Sequence, residues 1–193
     1  MESEAPKRNK RMMFGCMGIC IGILLAVWYF LLPVWKVAKK TGILDDKVMR
    51  EYKGNSMQNL KEQHTALMLY QNSEGMLPNA SGWMDAIWPY MKAGDMTQEE
   101  AEKKLRNPAV TADNPLGFGY AFNEKLSEGY SDDFENPETT PLTFDSSDIN
   151  RNAKGNPLQL APSPQRPGGN QAITLEGNVQ SLEDILKGKK PNK

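Results

Sequence analysis

Residues 12–35, MMFGCMGICIGILLAVWYFLLPVW, contain no charged side chain. An uncharged apolar run of about 20 residues is long enough to cross the hydrocarbon core of a bilayer as a helix, the form that satisfies its own backbone polar groups. Trp28, Tyr29 and Trp35 gather toward the C-terminal end of the run, where amphipathic rings favour the headgroup region. Pro33 kinks the helix there or marks its exit. A cleaved secretory signal is the competing reading, but its apolar core is about 7–15 residues and is followed by a small-x-small exit. LLPVWKVAKK offers no such exit. MFGC looks like a lipobox, yet the apolar run follows its Cys instead of preceding it. Lys7, Arg8, Lys10 and Arg11 precede the run, and Lys36, Lys39, Lys40, Lys47 and Arg50 follow it. Flanking cations therefore do not set the direction of insertion. Long C-terminal domains translocate despite such charges, so the expected topology is a single pass with the N-terminus inside.

The formal net charge of −1 leaves no global basic field to attract nucleic acid. Both cysteines, Cys16 and Cys20, fall inside the apolar run, and the single histidine is His64. Outside the run there is no thiol for a Cys-His nucleophile pair, and a His-rich metal site is excluded by count. Carboxylate-only chemistry survives that test, but no Asp/Glu pair has distinctive spacing. The sequence assigns no catalytic residue and no resident cofactor, and the chain reads as a non-enzyme.

After the run, KVAKKTGILDDKVMREYKGNS is charged and reads as broken helix, weakened at Gly42 and Gly54. SMQNLKEQHTALMLYQNSEG is the clearest helix: Ser56 suits the cap, Gly75 the stop, and Met57, Leu60, His64, Leu67 and Met68 recur at helical spacing. His64 reads as a packed, hydrogen-bonded residue on that apolar side. Trp83, Ile87, Trp88 and Tyr90 are expected to pack onto this helix, an exposed aromatic patch being the alternative. Thr97 and Glu100 form a capping box for a short surface helix that Pro108 closes. The parts are then a basic tail (1–11), the membrane helix (12–35), a charged juxtamembrane stem (36–55), an α+β head (56–182) and a flexible tail (183–193).

GFGYAFN and PLTFDSSD read as strands, and NAKGNPLQLAPSPQRPGGN as a Pro/Gly loop. The last hairpin admits two registers. A three-residue loop Glu176-Gly177-Asn178 sets Leu175 opposite Val179, and a two-residue Glu-Gly turn sets Thr174 opposite Val179. The first is preferred because it pairs apolar with apolar and Asn tolerates the left-handed conformation. Nine acids against Lys125 lie between Asp113 and Asp148. Asp132, Asp133 and Glu135 are candidate calcium ligands, because calcium takes several oxygens. The stretch lacks the D-x-D-x-D-G spacing, and a solvated acidic loop is the preferred reading.

Four pieces in order, LLPVWKVAKK, NLKEQHTALMLYQNSEGMLP, GFGYAFNEKLSEG and PGGNQAITLEGNVQSL, resemble bacterial pilin-like proteins of the G-type pseudopilin kind, most closely the group ending in a DGHV-type hairpin. Asn59, Leu60 and Lys61 match that group's N-L-K start, Trp83, Pro89 and Tyr90 its Trp and PY, and Tyr120, Ala121 and Asn123 its YAxN. Gly168, Gly169, Gly177 and Val179 match its last motif, with Glu176 and Asn178 where the group prefers Asp and His. Asn107 precedes Pro108 where Cys is frequent, and the stem is altered, with LLP and NLK further apart than usual. The resemblance implies a stem helix continuing from the membrane helix and packed on a small antiparallel sheet. It also implies the cytoplasmic (inner) membrane, an extracytoplasmic head, and pilin-like or secretion-system subunits as partners. Gly15, after the basic KRNKRMMFG, is the candidate prepilin-type cleavage point. The fifth residue beyond it is Cys20, and beyond Gly18 it is Ile23, where prepilins carry an intramembrane Glu. That substitution favours a second expectation, a non-polymerising tethered scaffold or ligand-binding module.

Overall fold

The computed structural model describes residues 46–92 and 97–190, with side chains from residue 55 onward. The apolar run 12–35 and Gly15 lie outside the described residues. Among the described residues no helix is long and apolar enough to cross a membrane. The fold below is that of the unit that begins at Lys47, together with the helix that leads into it.

Helix α1 spans Asp46–Glu74 without a break. The expected interruption at Gly54 is therefore corrected. Ser56 is not a cap but a buried residue inside the helix, its hydroxyl 3.0 Å from the Tyr120 hydroxyl. The buried face is Ser56, Leu60, Gln63, Ala66, Leu67 and Gln71, at helical spacing. Leu60 and Leu67 are buried as expected, whereas Met57, His64 and Met68 sit half-buried at the margin. Hydrophobic periodicity misplaces the centre of the face because three of its six residues are polar. Each of the three finds a hydrogen-bond partner, as buried polar groups generally do. Gln63 Nε2 donates to Lys104 O at 2.9 Å, Gln71 Nε2 donates to Ser131 Oγ at 3.0 Å, and Ser131 N donates back to Gln71 Oε1 at 3.1 Å. The helix stops as read, at Gly75, whose φ of +79° suits the left-handed residue after a helix.

Helix α2 (Trp83–Met91) buries Trp83, Met84, Ile87 and Met91. Trp88 and Tyr90 pack on the same core, and Tyr70 meets Tyr90 edge-on at 5.9 Å. Helix α3 (Gln98–Leu105) carries the expected capping box of Thr97 and Glu100. Pro108 does not close that helix. It opens α4 (Pro108–Asp113), where Asn107 accepts from Ala109 N and the ring fits a position whose N–H has no helical partner.

Strands β1 (Tyr120–Asn123), β2 (Pro141–Asp145), β3 (Lys154–Gly155), β4 (Gln171–Thr174) and β5 (Val179–Ser181) form one sheet in the order β3-β1-β2-β4-β5. The fold is α+β as expected, but the sheet is mixed and not purely antiparallel, because β3 runs parallel to β1. The reason lies in the register. Asp145, the end of β2, pairs with Tyr120, the start of β1, so the chain passes over that end and β3 sets out in the direction of β1.

Both faces of the sheet are covered. Tyr120, Phe122, Leu142 and Ile173 join the core shared with α1 and α2. Ala121, Phe144 and Ala172 form a second core with helix α6 (Leu182–Leu186), and Leu160 of helix α5 (Pro157–Leu160) packs against it. A register shift between Pro141 and Thr143 lets Leu142 and Phe144, two residues apart, serve opposite faces. The expected flexible segment 183–193 thus begins with a helix whose Ile185 is buried.

The terminal hairpin takes neither expected register. Ile173 faces Val179, Ala172 faces Gln180, and Gln171 faces Ser181. Gly177 N donates to Thr174 O at 2.9 Å and Thr174 N to Asn178 O at 3.0 Å, so the loop is Leu175-Glu176-Gly177. Gly177, at φ +90°, holds the left-handed position that the preferred register assigns to Asn178. Leu175 leaves the ladder and is buried in the helix-facing core instead. Gly177→Ala is expected to destabilise by about 1–2 kcal/mol through the positive φ, and its Cβ would lie 3.0 Å from His64 Cε1. Urea melts of Gly177→Ala with and without His64→Ala separate the two causes. Only the steric part should be relieved in the double variant.

Candidate functional site

Three arrangements stand out, and each is built from side chains that bind backbone. The first is the junction of α1 and the terminal hairpin. His64 Nε2 lies 3.0 Å from Leu175 O, and the glycine at 177 lets the turn close onto the imidazole. The single histidine is thus a packed, hydrogen-bonded residue as expected, and it seats the hairpin on α1.

The second is the face where α1 meets α3. The last carbonyls of a helix lack intrahelical donors. Asn59 Nδ2 donates to Arg106 O at 3.1 Å and Gln63 Nε2 to Lys104 O at 2.9 Å, so α1 supplies the C-terminal cap of its neighbour. Beside them lies an open groove of about 630 Å³ lined in part by Asn55, Asn59, Glu99, Glu102, Lys103 and Arg106. Its charges neutralise one another: Lys103 pairs with Glu99 at 3.0 Å, Arg106 with Glu102 at 2.5 Å, and Lys104 with Glu62. Arg106 also lies over the Phe118 ring, 4.1 Å from its centre, with Arg151 5.2 Å from the same centre. A groove of compensated charge has no strong preference for a ligand of either sign.

The third is a polar hub under the sheet. Asp145 is fully buried at the end of β2. Its Oδ1 accepts from Asn107 Nδ2 at 2.7 Å, its Oδ2 from Gln171 N at 2.8 Å, and Arg166 Nη1 lies 3.7 Å from Oδ1. Arg166 Nη1 donates to Gly119 O at 3.0 Å and Nη2 to Ser146 O. Gly168 and Gly169, with φ of +84° and +82°, form the turn that returns the chain from Arg166 to β4. Here the Gly-Gly of the last motif has a backbone reason.

Asn152 plays a similar part at α2. Its Oδ1 accepts from Met84 N at 2.8 Å and its Nδ2 donates to Asp85 Oδ2 at 2.6 Å, while Arg151 Nε donates to Asp85 Oδ1 at 2.7 Å. The Asn152 hydrogen bond, then Arg151, hold the Asp85 carboxyl below its usual 3.8 against the opposing effect of burial. A lowered folded pKa makes the contribution present above pH 3.8 and lost as pH falls through the folded value. The melting-temperature difference between wild type and Asp85→Asn should therefore be largest near neutrality and shrink below that pH. A difference that stays constant on acidification would show that ionisation of Asp85 contributes nothing.

The other residues singled out in the sequence stay apart from these arrangements, and Asp132, Asp133 and Glu135 are exposed. Among the described residues no group of three or more His, Cys, Asp or Glu is arranged to hold a metal ion. Glu176 and Asn178 bond to each other at 2.9 Å in the hairpin loop. Trp83 and Ile87 are core residues, not a surface patch. Sequence reasoning misses Asp145 and Asn152, which carry no local signal, and the bond of Asn107 to Asp145, since Asn before Pro108 signals only a cap. Arg166 carries one, as the only cation between Lys154 and Lys187 in a Pro/Gly stretch. Searches against protein-family models, curated proteins and solved structures found no match.

Proposed function

We propose that the chain is a single-pass, membrane-anchored pilin- or pseudopilin-like protein, a non-enzymatic structural or assembly component of a secretion or pilus-like system. The observation that carries this reading is the terminal hairpin seated on a long N-terminal helix through His64 and Leu175. It joins the second and fourth of the sequence pieces that carry the resemblance. The uncharged run 12–35 supplies the anchor, in the inner membrane with the head extracytoplasmic. The head is then a scaffold whose polar side chains fasten backbone to backbone, which suits a protein that presents surfaces and does no chemistry.

The second reading is a tethered module that does not polymerise. Cys20 and Ile23 favour it, since neither can make the charge pair by which an intramembrane carboxylate sets subunit register. One preparation tests both. The full chain, purified in detergent from its own host, is analysed by intact mass spectrometry and by sedimentation across a concentration series. Before solubilisation, sedimentation with the membrane after alkaline extraction is expected, and its loss would overturn the anchor. Loss of the first fifteen residues with concentration-dependent assembly supports the pilin-like subunit. An unprocessed, monodisperse monomer supports the tethered module and rejects polymerisation.

A further inference from the structure

Helix α1 remains helical across Gly54-Asn55-Ser56, three consecutive residues of poor helix propensity. Each has a reason to resist. Glycine loses the most backbone freedom, and the short polar side chains of Asn and Ser compete for nearby backbone groups. Local preference and global fold disagree at this triplet, and such disagreements concentrate at functional or strained sites. The disagreement has a specific form here. Ser56 has two uses, one in each form of the helix. In the continuous helix its hydroxyl is turned inward, 3.0 Å from the Tyr120 hydroxyl. In a helix that begins after it, the same oxygen would accept from the N–H of Gln58 or Asn59, two of the donors left orphaned at a helix start.

The rest of α1 is held in either arrangement. Asn59 and Gln63 are fastened to the carbonyls of Arg106 and Lys104, and Leu60 and Leu67 are fully buried. We propose that α1 exchanges between two states at Gly54-Asn55-Ser56. One is the continuous helix from Asp46 with Ser56 on Tyr120. The other is a helix capped by Ser56 with residues 46–55 released. The device takes up or gives up nearly three turns of helix while the sheet and the hairpin stay in place. It does not rest on the membrane reading, because every group it uses lies in α1 or on Tyr120.

Amide hydrogen exchange on the full chain in detergent tests it. Peptides covering 47–55 should exchange well ahead of those covering 60–72. Gly54→Ala should slow exchange of 47–55 about fivefold, the propensity difference between the two residues in a helix interior. Tyr120→Phe removes one of the two uses of Ser56 and should speed exchange of 47–55 while leaving the amides of β4 unchanged. Three results would overturn the switch: exchange of 47–55 as slow as that of 60–72, no response to Gly54→Ala, or a Tyr120→Phe effect equal in 47–55 and β4. The readout is local, so it fails or succeeds independently of whether the protein sediments with membranes.

Discussion

Asp145→Ala is expected to lower stability by about 3–5 kcal/mol, the usual consequence of removing one partner from a buried charge pair. The cost is not the lost attraction alone. Asn107 Nδ2 and Gln171 N lose their acceptor, and Arg166, only 9% exposed in its side chain, loses its counter-charge. Three segments distant in sequence, the start of α4, the Pro/Gly loop and β4, loosen together. A double-mutant cycle with Arg166→Met separates the causes. If the hub is a unit, the double variant should lose much less than the sum of the single losses, because no unpaired buried charge remains. Additive losses would mean that the aspartate and the arginine act apart. A loss below about 1 kcal/mol for Asp145→Ala, no more than one ordinary hydrogen bond, would show that the carboxylate organises nothing.

Trp83→Ala should cost a similar amount, about 3–5 kcal/mol, through cavity formation. The ring is fully buried and lies 5.9 Å from Phe122 at an interplanar angle of 31°. Its Nε1 donates to Ala153 O at 2.9 Å, and the same carbonyl accepts from Phe122 N at 3.0 Å. Trp83 therefore packs α2 on the helix-facing core and fastens the segment leading into the two-residue strand β3. Trp83→Phe keeps most of the volume and removes the donor, so it should cost only about 1–2 kcal/mol. The ordering Ala far worse than Phe is the check, read from urea midpoints at unchanged m-value. Equal losses would show that the indole N–H, not the packing, is what matters.

Local rules make a definite part of this head legible. The long helix and its stop at Gly75, the Thr97-Glu100 box, strands at YAFN and PLTFD, and a terminal hairpin all follow from periodicity, capping and turn chemistry. The departures share one cause, namely partners brought from far along the chain. Ser56 reads as a cap because its partner, Tyr120, is 64 residues away. The face of α1 centres on apolar residues in the sequence because nothing local shows that Gln63 and Gln71 will find a carbonyl and a serine. Pairing apolar with apolar sets Leu175 against Val179, whereas Leu175 packs into the helix-facing core. Strand β3 and α5 read as loop because two residues and four residues leave almost no periodic trace. The site residues are least legible, since Asp145 and Asn152 act through tertiary geometry, and Asn107 joins its local cap to a bond with Asp145 from 38 residues away.

The starts of the short elements show a common choice with a consequence for the whole head. Asn79, Asn107, Asn123 and Asn156 each accept from the N–H two residues on, at Ser81, Ala109, Lys125 and Leu158. Aspartate would cap as well near neutrality, but it gives up its charge on protonation. An amide has no such titration. Acid therefore reaches the ionic fastenings between elements, such as Asp85 with Arg151, before it reaches the places where the elements begin. The capping box at α3 is the exception, since Glu100, held below its usual range by Thr97, is part of it. Lowering the pH should thus let the pieces of the head drift apart while most of them keep their own beginnings, a division between joints and parts written into the choice of Asn over Asp.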